Sequence, residues 1–155
     1  MGIDEDLGLA YAKAQMAAQP ALPEKGNLFI SVKDADKPEA AALAAEFVEL
    51  GFKIFATSGT AAAIKANGVP VTKLFKLTEG RPNVLDMIKN GEIQFIINTP
   101  SGKSPREDEI RIRSATVTGR IAIMTTMRAA RASVNGIRSF QQKGICVKTV
   151  QEYHA

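Results

Sequence analysis

Short apolar segments alternate with helix-forming segments along most of this chain, and this alternation limits its fold more than any other feature. The sequence predicts strands at residues 28–32, 54–56, 69–73, 94–97, 121–123 and 145–147. It predicts helices between them at residues 36–50, 60–66, 84–90, 104–119 and 125–134. Strands that are apolar along their whole length are typical of parallel sheets that helices cover on both faces. We therefore predict an α/β fold, a three-layer Rossmann-like domain with a mostly parallel sheet of about five strands.

The segment at residues 53–60 joins a predicted strand to a predicted helix through a turn of small polar residues. These residues are Thr57, Ser58, Gly59 and Thr60. Backbone N–H groups and the helix dipole make the start of a helix attractive to anions. The hydroxyl groups and the glycine let a phosphate or carboxylate approach closely. An ordinary helix cap explains the same residues, because Ser and Thr are preferred there. Both interpretations stay open for this segment alone.

Other polar residues follow the predicted strands or begin the helices beside them. They are Lys37, Lys76, Asn98 and Thr99. Ligands of open α/β sheets bind at the carboxyl ends of the strands. Lysine neutralises phosphate as a point charge, and an Asn side chain both donates and accepts hydrogen bonds. Each residue alone is explained as a surface charge or a cap. Together with the 57–60 turn, the set predicts an anion-binding pocket.

The acidic residues form no pair suited to acid–base catalysis. Asp34, Asp36 and Glu39 are explained by a helix start, in which Asp36 caps the helix and Glu39 closes a capping box. The acids at residues 107–109 lie in a predicted first turn, where the helix dipole favours them. The 57–60 turn also lacks the spacing of a P-loop or a dinucleotide-binding motif. The sequence therefore predicts that a phosphate binds, without residues that act on it.

The composition excludes several other functions. The chain has 155 residues, a net charge of +4 and only 6% aromatic residues. The arginines and aromatics do not interleave, which argues against a nucleic-acid partner, and no apolar run is long enough to cross a membrane. The only histidine is His154, and the only cysteine is Cys146, in an apolar run that predicts a core position. We expect no histidine-based catalysis or metal site, and a reducing, cytoplasmic compartment.

A helix-forming segment at residues 4–18 precedes the alternating pattern, and a proline-containing break at residues 19–26 separates the two. An isolated helix of this length is marginal in water. The helix either folds back on the body or belongs to a neighbouring domain. We divide the chain into residues 1–23, a helix and linker, and residues 24–155, the main domain.

Several short motifs fall in register with a known family over about residues 24–153. They are Leu28–Val32, Asp36-Lys37, Gly51-Phe52, Ala56-Thr57-Ser58-Gly59-Thr60, Glu79-Gly80-Arg81-Pro82, Ile88-Lys89-Asn90-Gly91 and Ile96-Ile97-Asn98-Thr99. On these motifs the chain resembles the C-terminal allosteric domain of the carbamoyl phosphate synthetase large subunit, a methylglyoxal-synthase-like domain. Its leading segment resembles the last helix of the preceding synthetase domain.

The resemblance implies a regulatory domain that binds a nucleotide of the UMP or IMP class and is not itself catalytic. It assigns the phosphate to Lys37, Thr57, Thr60 and Lys76, and the base or ribose to Asn98, with Ser58 nearby. The parent enzyme that it implies is an ATP-dependent, glutamine-hydrolysing ligase of pyrimidine and arginine biosynthesis. That enzyme uses ATP with Mg or Mn, and its implied partners are the preceding synthetase domains and a small glutaminase subunit.

The chain departs from the family at several positions. Pro100 stands where the family often has a hydroxyl residue, which leaves the nucleotide preference open. Ile123-Met124 replaces a Tyr-Asp pair that helps hold ornithine, which argues against an ornithine response. One alternative function is a methylglyoxal-synthase-type lyase. Against it, Arg81 occupies the position of the catalytic Asp, and residues 98–106 contain no His. The other alternative is a docking or oligomerisation domain that binds no ligand.

Overall fold

A five-stranded, fully parallel sheet forms the centre of the molecule in the computed structural model, which describes residues 1–100 and 107–153. The strand order is β3-β2-β1-β4-β5. The strands are β1 (Gly26–Ser31), β2 (Phe52–Thr57), β3 (Thr72–Leu74), β4 (Phe95–Asn98) and β5 (Ala122–Met124). The helices in the described residues are α1 (Leu7–Ala18), α2 (Lys37–Glu49), α3 (Ser58–Ala66), α4 (Val84–Lys89), α5 (Glu107–Gly119) and α6 (Met127–Lys143). The predicted α/β fold is confirmed.

Two apolar clusters, one on each face of the sheet, hold the layers together. Successive side chains of a strand point to opposite faces, so Leu28 of β1 packs in one cluster and Phe29 in the other. The first cluster joins the sheet to α2, α3 and α6, and the second joins it to α4 and α5. Phe47 of α2 anchors the first, with its ring edge-on to Phe52 and Phe95 at centroid distances of 5.3 and 5.8 Å. Residues that read as apolar runs are thus buried by helices on both sides.

The strand order opens a crevice beside the central strand. From β1 the chain builds the sheet outward through β2 and β3, and it then returns to place β4 and β5 on the other side of β1. The connections that follow β1 and β4 therefore diverge. Such a reversal of strand order is where open α/β sheets bind ligands, at the carboxyl ends of the strands.

The C-terminal part of the chain differs from its prediction. No strand forms at residues 145–147, where Val147 is 88% exposed, and Cys146 is exposed rather than in the core. Helix α6 continues past residue 134 to Lys143 and ends at Gly144, whose φ is +67°. The apolar run is exposed and has no strand beside it to pair with. The extension of α6 over residues 135–143 was not predicted because these residues are mostly polar, although Gly136 and Ile137 are buried there.

The starts of two helices also differ from their predictions. Asp36 makes no side-chain cap for α2, because a short 3₁₀ turn at Asp34–Asp36 leads directly into the helix. A capping box instead begins α4, where Asn83 accepts from backbone N–H groups of the first turn and Asp86 accepts from the Asn83 N–H. The capping box predicted at residues 104–107 extends outside the described residues.

Helix α1 folds back on the body and packs along α6. A Cβ on Gly8 would lie 2.8 Å from the Asn135 carbonyl oxygen, too close for any other residue, and one on Gly136 would lie in tight contact, 3.3 Å from the Gly8 carbonyl oxygen. At the start of α1, the Asp6 carboxylate accepts from the Gly8 N–H at 2.8 Å and pairs with Lys143. The assignment of residues 1–23 to a preceding domain stays a prediction. In residues 1–100 and 107–153, no helix is long and apolar enough to cross a bilayer.

Candidate anion-binding cleft

A cleft of about 350 Å³ opens at the carboxyl ends of β1, β2 and β4. Its volume is at the lower end of the range typical of small-molecule sites. Ser58, the first residue of α3, does not line it. The other predicted site residues all do, and they are Lys37, Thr57, Gly59, Thr60, Lys76, Asn98 and Thr99. Four separate connections, those after β1, β2, β3 and β4, thus contribute to one concave surface.

Threonine hydroxyls tie the end of β1 to its neighbours. Thr60 Oγ1 accepts from the Val32 N–H at 3.3 Å, and Thr99 Oγ1 accepts from the Lys33 N–H at 3.2 Å. A hydroxyl that accepts a backbone N–H still has its own hydrogen to donate. These contacts therefore fix the backbone around the cleft and leave O–H donors for a ligand.

The start of α3 brings backbone N–H groups and the positive end of a helix dipole to the cleft. Thr57 is the N-cap residue of α3, yet its side chain makes no capping hydrogen bond and instead lies 3.2 Å from Ser31 Oγ. The first N–H groups of the helix therefore keep no acceptor from this cap. A Cβ on Gly59 would lie 2.9 Å from Lys37 Nζ, so the ammonium group occupies the space that glycine leaves free. The lysine charge and the helix N-terminus converge there.

Asn98 supplies an amide on the other side of β1. It is the last residue of β4 and is only 3% exposed. Its side chain lines the cleft. An amide both donates and accepts hydrogen bonds. Asn98 thus places a donor and an acceptor at the end of β4, opposite the basic side of the cleft.

Each of the three lysines that line the cleft has an acidic partner three residues away. The closest pair joins Lys37 Nζ to Asp34 Oδ1 at 2.6 Å. The other two are longer: Lys76 to Glu79 at 3.7 Å, and Lys33 to Asp36 at 3.8 Å. The hydrogen bond and the charge of Lys37 hold the pKa of Asp34 below its ordinary value. The cleft therefore carries its own counter-ions.

Sequence reasoning missed several residues that line the cleft. Lys33 and Asp34 come directly after β1, and Asp34 was explained by helix capping alone. Asp108 and Glu109 approach from α5, where the helix dipole was a sufficient explanation. The apolar wall of the cleft was also missed, because no local pattern in the sequence indicates it. That wall consists of Phe29, Phe75, Leu77, Val84 and Ile112.

Arg81 does not line this cleft. Its side chain is 81% exposed, its Nε lies 3.5 Å from Asp86 Oδ1, and it lines a separate shallow depression beside α4. Arg81 is thus directed at α4 rather than at the cleft. Its match to the catalytic Asp position of the lyase family stays a prediction.

Comparison with known proteins places the chain among relatives of one kind. Residues 39–125 match the family model of the MGS-like domain. The chain is 52% identical to "Carbamoyl phosphate synthase large chain, C-terminal section" of Aquifex aeolicus, over 99% of this chain and 30% of that one. It is 46% identical to the carbamoyl phosphate synthase large chain of Gemmatimonas aurantiaca and 47% identical to that of Archaeoglobus fulgidus, in each case over 99% of this chain and 14% of the relative. The chain spans less than a third of the length of these relatives, and the similarity includes helix α1.

Proposed function

The chain belongs to the MGS-like domain family, and because its relatives are carbamoyl phosphate synthase large chains, we propose that it is the regulatory, effector-binding domain of such an enzyme. The effector is a phosphorylated nucleotide of the UMP or IMP class, which binds in the cleft and modulates carbamoyl phosphate synthesis. The fragment contributes no catalytic group. The predicted resemblance is confirmed by the family match, and the regulatory role is the inference that follows.

The observation that carries this proposal is the pairing of two features across β1. On one side, Lys37 Nζ lies over Gly59 at the start of α3. On the other, the side chain of Asn98, the last residue of β4, lines the same cleft. A phosphate is suited to the first feature, because a helix N-terminus and an ammonium group both favour an anion. A ribose or base is suited to the second, since an amide both donates and accepts.

The phosphate contacts follow from the donors that the cleft leaves unused. The N–H groups at the start of α3 and the hydroxyls of Thr57 and Thr60 donate to the phosphate oxygens. Lys37 and Lys76 supply the charge, and Thr99 lies beside the Asn98 amide. The apolar wall on the opposite side excludes water from one face of the ligand. The bound effector then favours one arrangement of this domain against the synthetase domains, and its effect is limited to its difference in affinity for the two states, about 1–3 kcal/mol.

The remaining partners belong to the parent enzyme rather than to this domain. We propose the preceding synthetase domains of the same chain as its direct partners, with ATP and Mg or Mn bound there. A small glutaminase subunit completes the enzyme, in the cytoplasm. Ornithine is not proposed as an effector, because Ile123 and Met124 offer no carboxylate to its amino groups.

Calorimetric titration of this chain with UMP, IMP, ornithine and inorganic phosphate tests the proposal. Saturable binding of one nucleotide is expected, and Lys37→Gln and Thr57→Ala should weaken it. Lys65→Gln is the matched control, because Lys65 lies exposed at the far end of α3 and should leave the affinity unchanged. Binding that all three variants retain would reject the site. No binding by any compound would favour the docking or oligomerisation role instead.

A further inference from the structure

We propose that Asp34 is a built-in competitor for the phosphate site, whose carboxylate holds Lys37 until a ligand phosphate takes its place. The inference rests on the proposed function and adds a residue that sets the affinity of that site. Asp34 lies in the 3₁₀ turn between β1 and α2, and Lys37 is the first residue of α2. Both residues line the cleft.

The two partners of this ion pair differ in how freely they can leave it. The Lys37 side chain is 27% exposed and packs against Gly59, whereas the Asp34 side chain is 94% exposed. An exposed carboxylate that swings away is rehydrated by water, so its release costs little desolvation free energy. The ammonium group therefore stays at the start of α3, and the carboxylate is the part that moves.

A bound phosphate and the paired Asp34 carboxylate are not compatible at this point. A phosphate monoester carries a charge of about −1.5 to −2 near neutral pH, and like charges at contact distance repel. Both anions also need the same hydrogens of the Lys37 ammonium, which Asp34 already approaches to 2.6 Å. The other cleft lysines are 3.7 and 3.8 Å from their acidic partners, so they hold no comparably close competitor. An aspartate is ionised at neutral pH whether or not it is paired, so the competition persists there.

The competition makes the site selective by charge. A ligand displaces Asp34 only if it offers Lys37 and the α3 N-terminus more negative charge than a carboxylate does. Phosphate monoesters meet this condition, whereas carboxylates and phosphodiesters carry a single charge. Asp34 thus protects the cleft from the singly charged anions that surround any protein in a cell.

Asp34→Asn tests the inference, with Asp36→Asn as the matched control. Both substitutions remove one negative charge from the same turn, but Asp36 does not line the cleft and lies beside Lys33 rather than Lys37. In calorimetric titrations with UMP and with inorganic phosphate, Asp34→Asn should tighten both by about two- to fivefold, the range that exposed ion pairs support. The gain in affinity should be equal for the two ligands because Asp34 competes only with the phosphate group that both share. Asp36→Asn should give less than half of the fold-gain in affinity that Asp34→Asn gives.

Unchanged affinity in Asp34→Asn, with normal UMP binding by the wild type, would overturn the competitor role and leave the proposed function standing. An equal gain in both variants would also overturn it, because net charge would then explain the effect. Absence of UMP and phosphate binding in all three proteins would reject the proposed function and this inference together.

Discussion

Gly59→Ala separates the role of Gly59 in the cleft from its role in the fold. The added Cβ would lie 2.9 Å from Lys37 Nζ and 3.5 Å from its Cε, so the ammonium group must move. Because the clash is with the end of a flexible side chain, the backbone need not shift. Gly59 lies in the first turn of α3 and has no positive φ, so alanine suits its conformation. The backbone N–H that faces the cleft is retained.

The expected magnitudes have opposite signs for stability and binding. Alanine favours a helix by up to about 1 kcal/mol over glycine, which is at most about 4 °C in Tm for a domain of this size. The displaced ammonium loses part of a charged hydrogen bond to the phosphate. We expect this to cost roughly 1 kcal/mol, or about fivefold in Kd. The variant should therefore be as stable as the wild type or slightly more so, and bind UMP more weakly.

Thermal unfolding and calorimetric titration with UMP measure the two effects on the same samples. Ser58→Ala is the control, since its side chain lies next to Gly59 in sequence but does not line the cleft. A Tm several degrees below that of the wild type would show that the Cβ meets rigid atoms. Wild-type affinity at an unchanged Tm would show that Lys37 does not hold the ligand from its place over Gly59. Either result would refute the reasoning.

Three further predictions concern stability and ligand choice. Burial raises the pKa of Glu46, but hydrogen bonds from its two arginine partners on α6 outweigh burial and lower the pKa. Glu46→Gln should therefore reduce the free energy of urea unfolding by about 1 kcal/mol at pH 7. The reduction should become smaller below about pH 4.5, where protonation of Glu46 removes the same contribution from the wild type. The hydrogen bond from Lys143 is the largest cause that lowers the pKa of Asp6 to about 2. The stabilisation of α1 by ionised Asp6 is therefore complete above pH 3.8 and lost toward pH 2. Protection factors of the α1 amides, which correct for intrinsic exchange, should fall over that interval in the wild type but not in Asp6→Asn. Phe75 is 43% exposed at the cleft, so Phe75→Ala should weaken UMP binding in a titration but leave inorganic phosphate unaffected.

Local patterns predicted the fold because a short strand that is buried on both faces is apolar along its whole length. The apolar residues 28–32 and 94–97 contain the buried apolar residues of β1 and β4. The polar residues that end these strands, Ser31 and Asn98, line the cleft. Residues whose role depends on distant neighbours were less predictable. Thr60 was predicted to contact phosphate, but its bond to the Val32 N–H requires β1 and β2 to be adjacent. Asp34 fitted a helix start, so nothing in the sequence required a second role.

The C-terminal half of α6 and the apolar wall of the cleft could not be predicted, because both depend on contacts between distant residues. Residues 135–143 are mostly polar, and only packing against α1 and α2 shows why the helix continues. Phe75 lies in a segment without regular periodicity, and the Phe75 N–H donates to the Pro82 carbonyl oxygen at 3.3 Å. Contacts of this kind join residues that are separated in sequence, so a local pattern carries no trace of them.

Helix α2 begins at the cleft and ends beside α6. It begins at Lys37 and is 13 residues, about 20 Å, long. Near its other end, Glu46 is held by Arg131 and Arg138 of α6, and α6 in turn meets α1 through facing glycines. Helix α2 thus connects the cleft to α6 through one rigid element, and α6 continues the connection to α1.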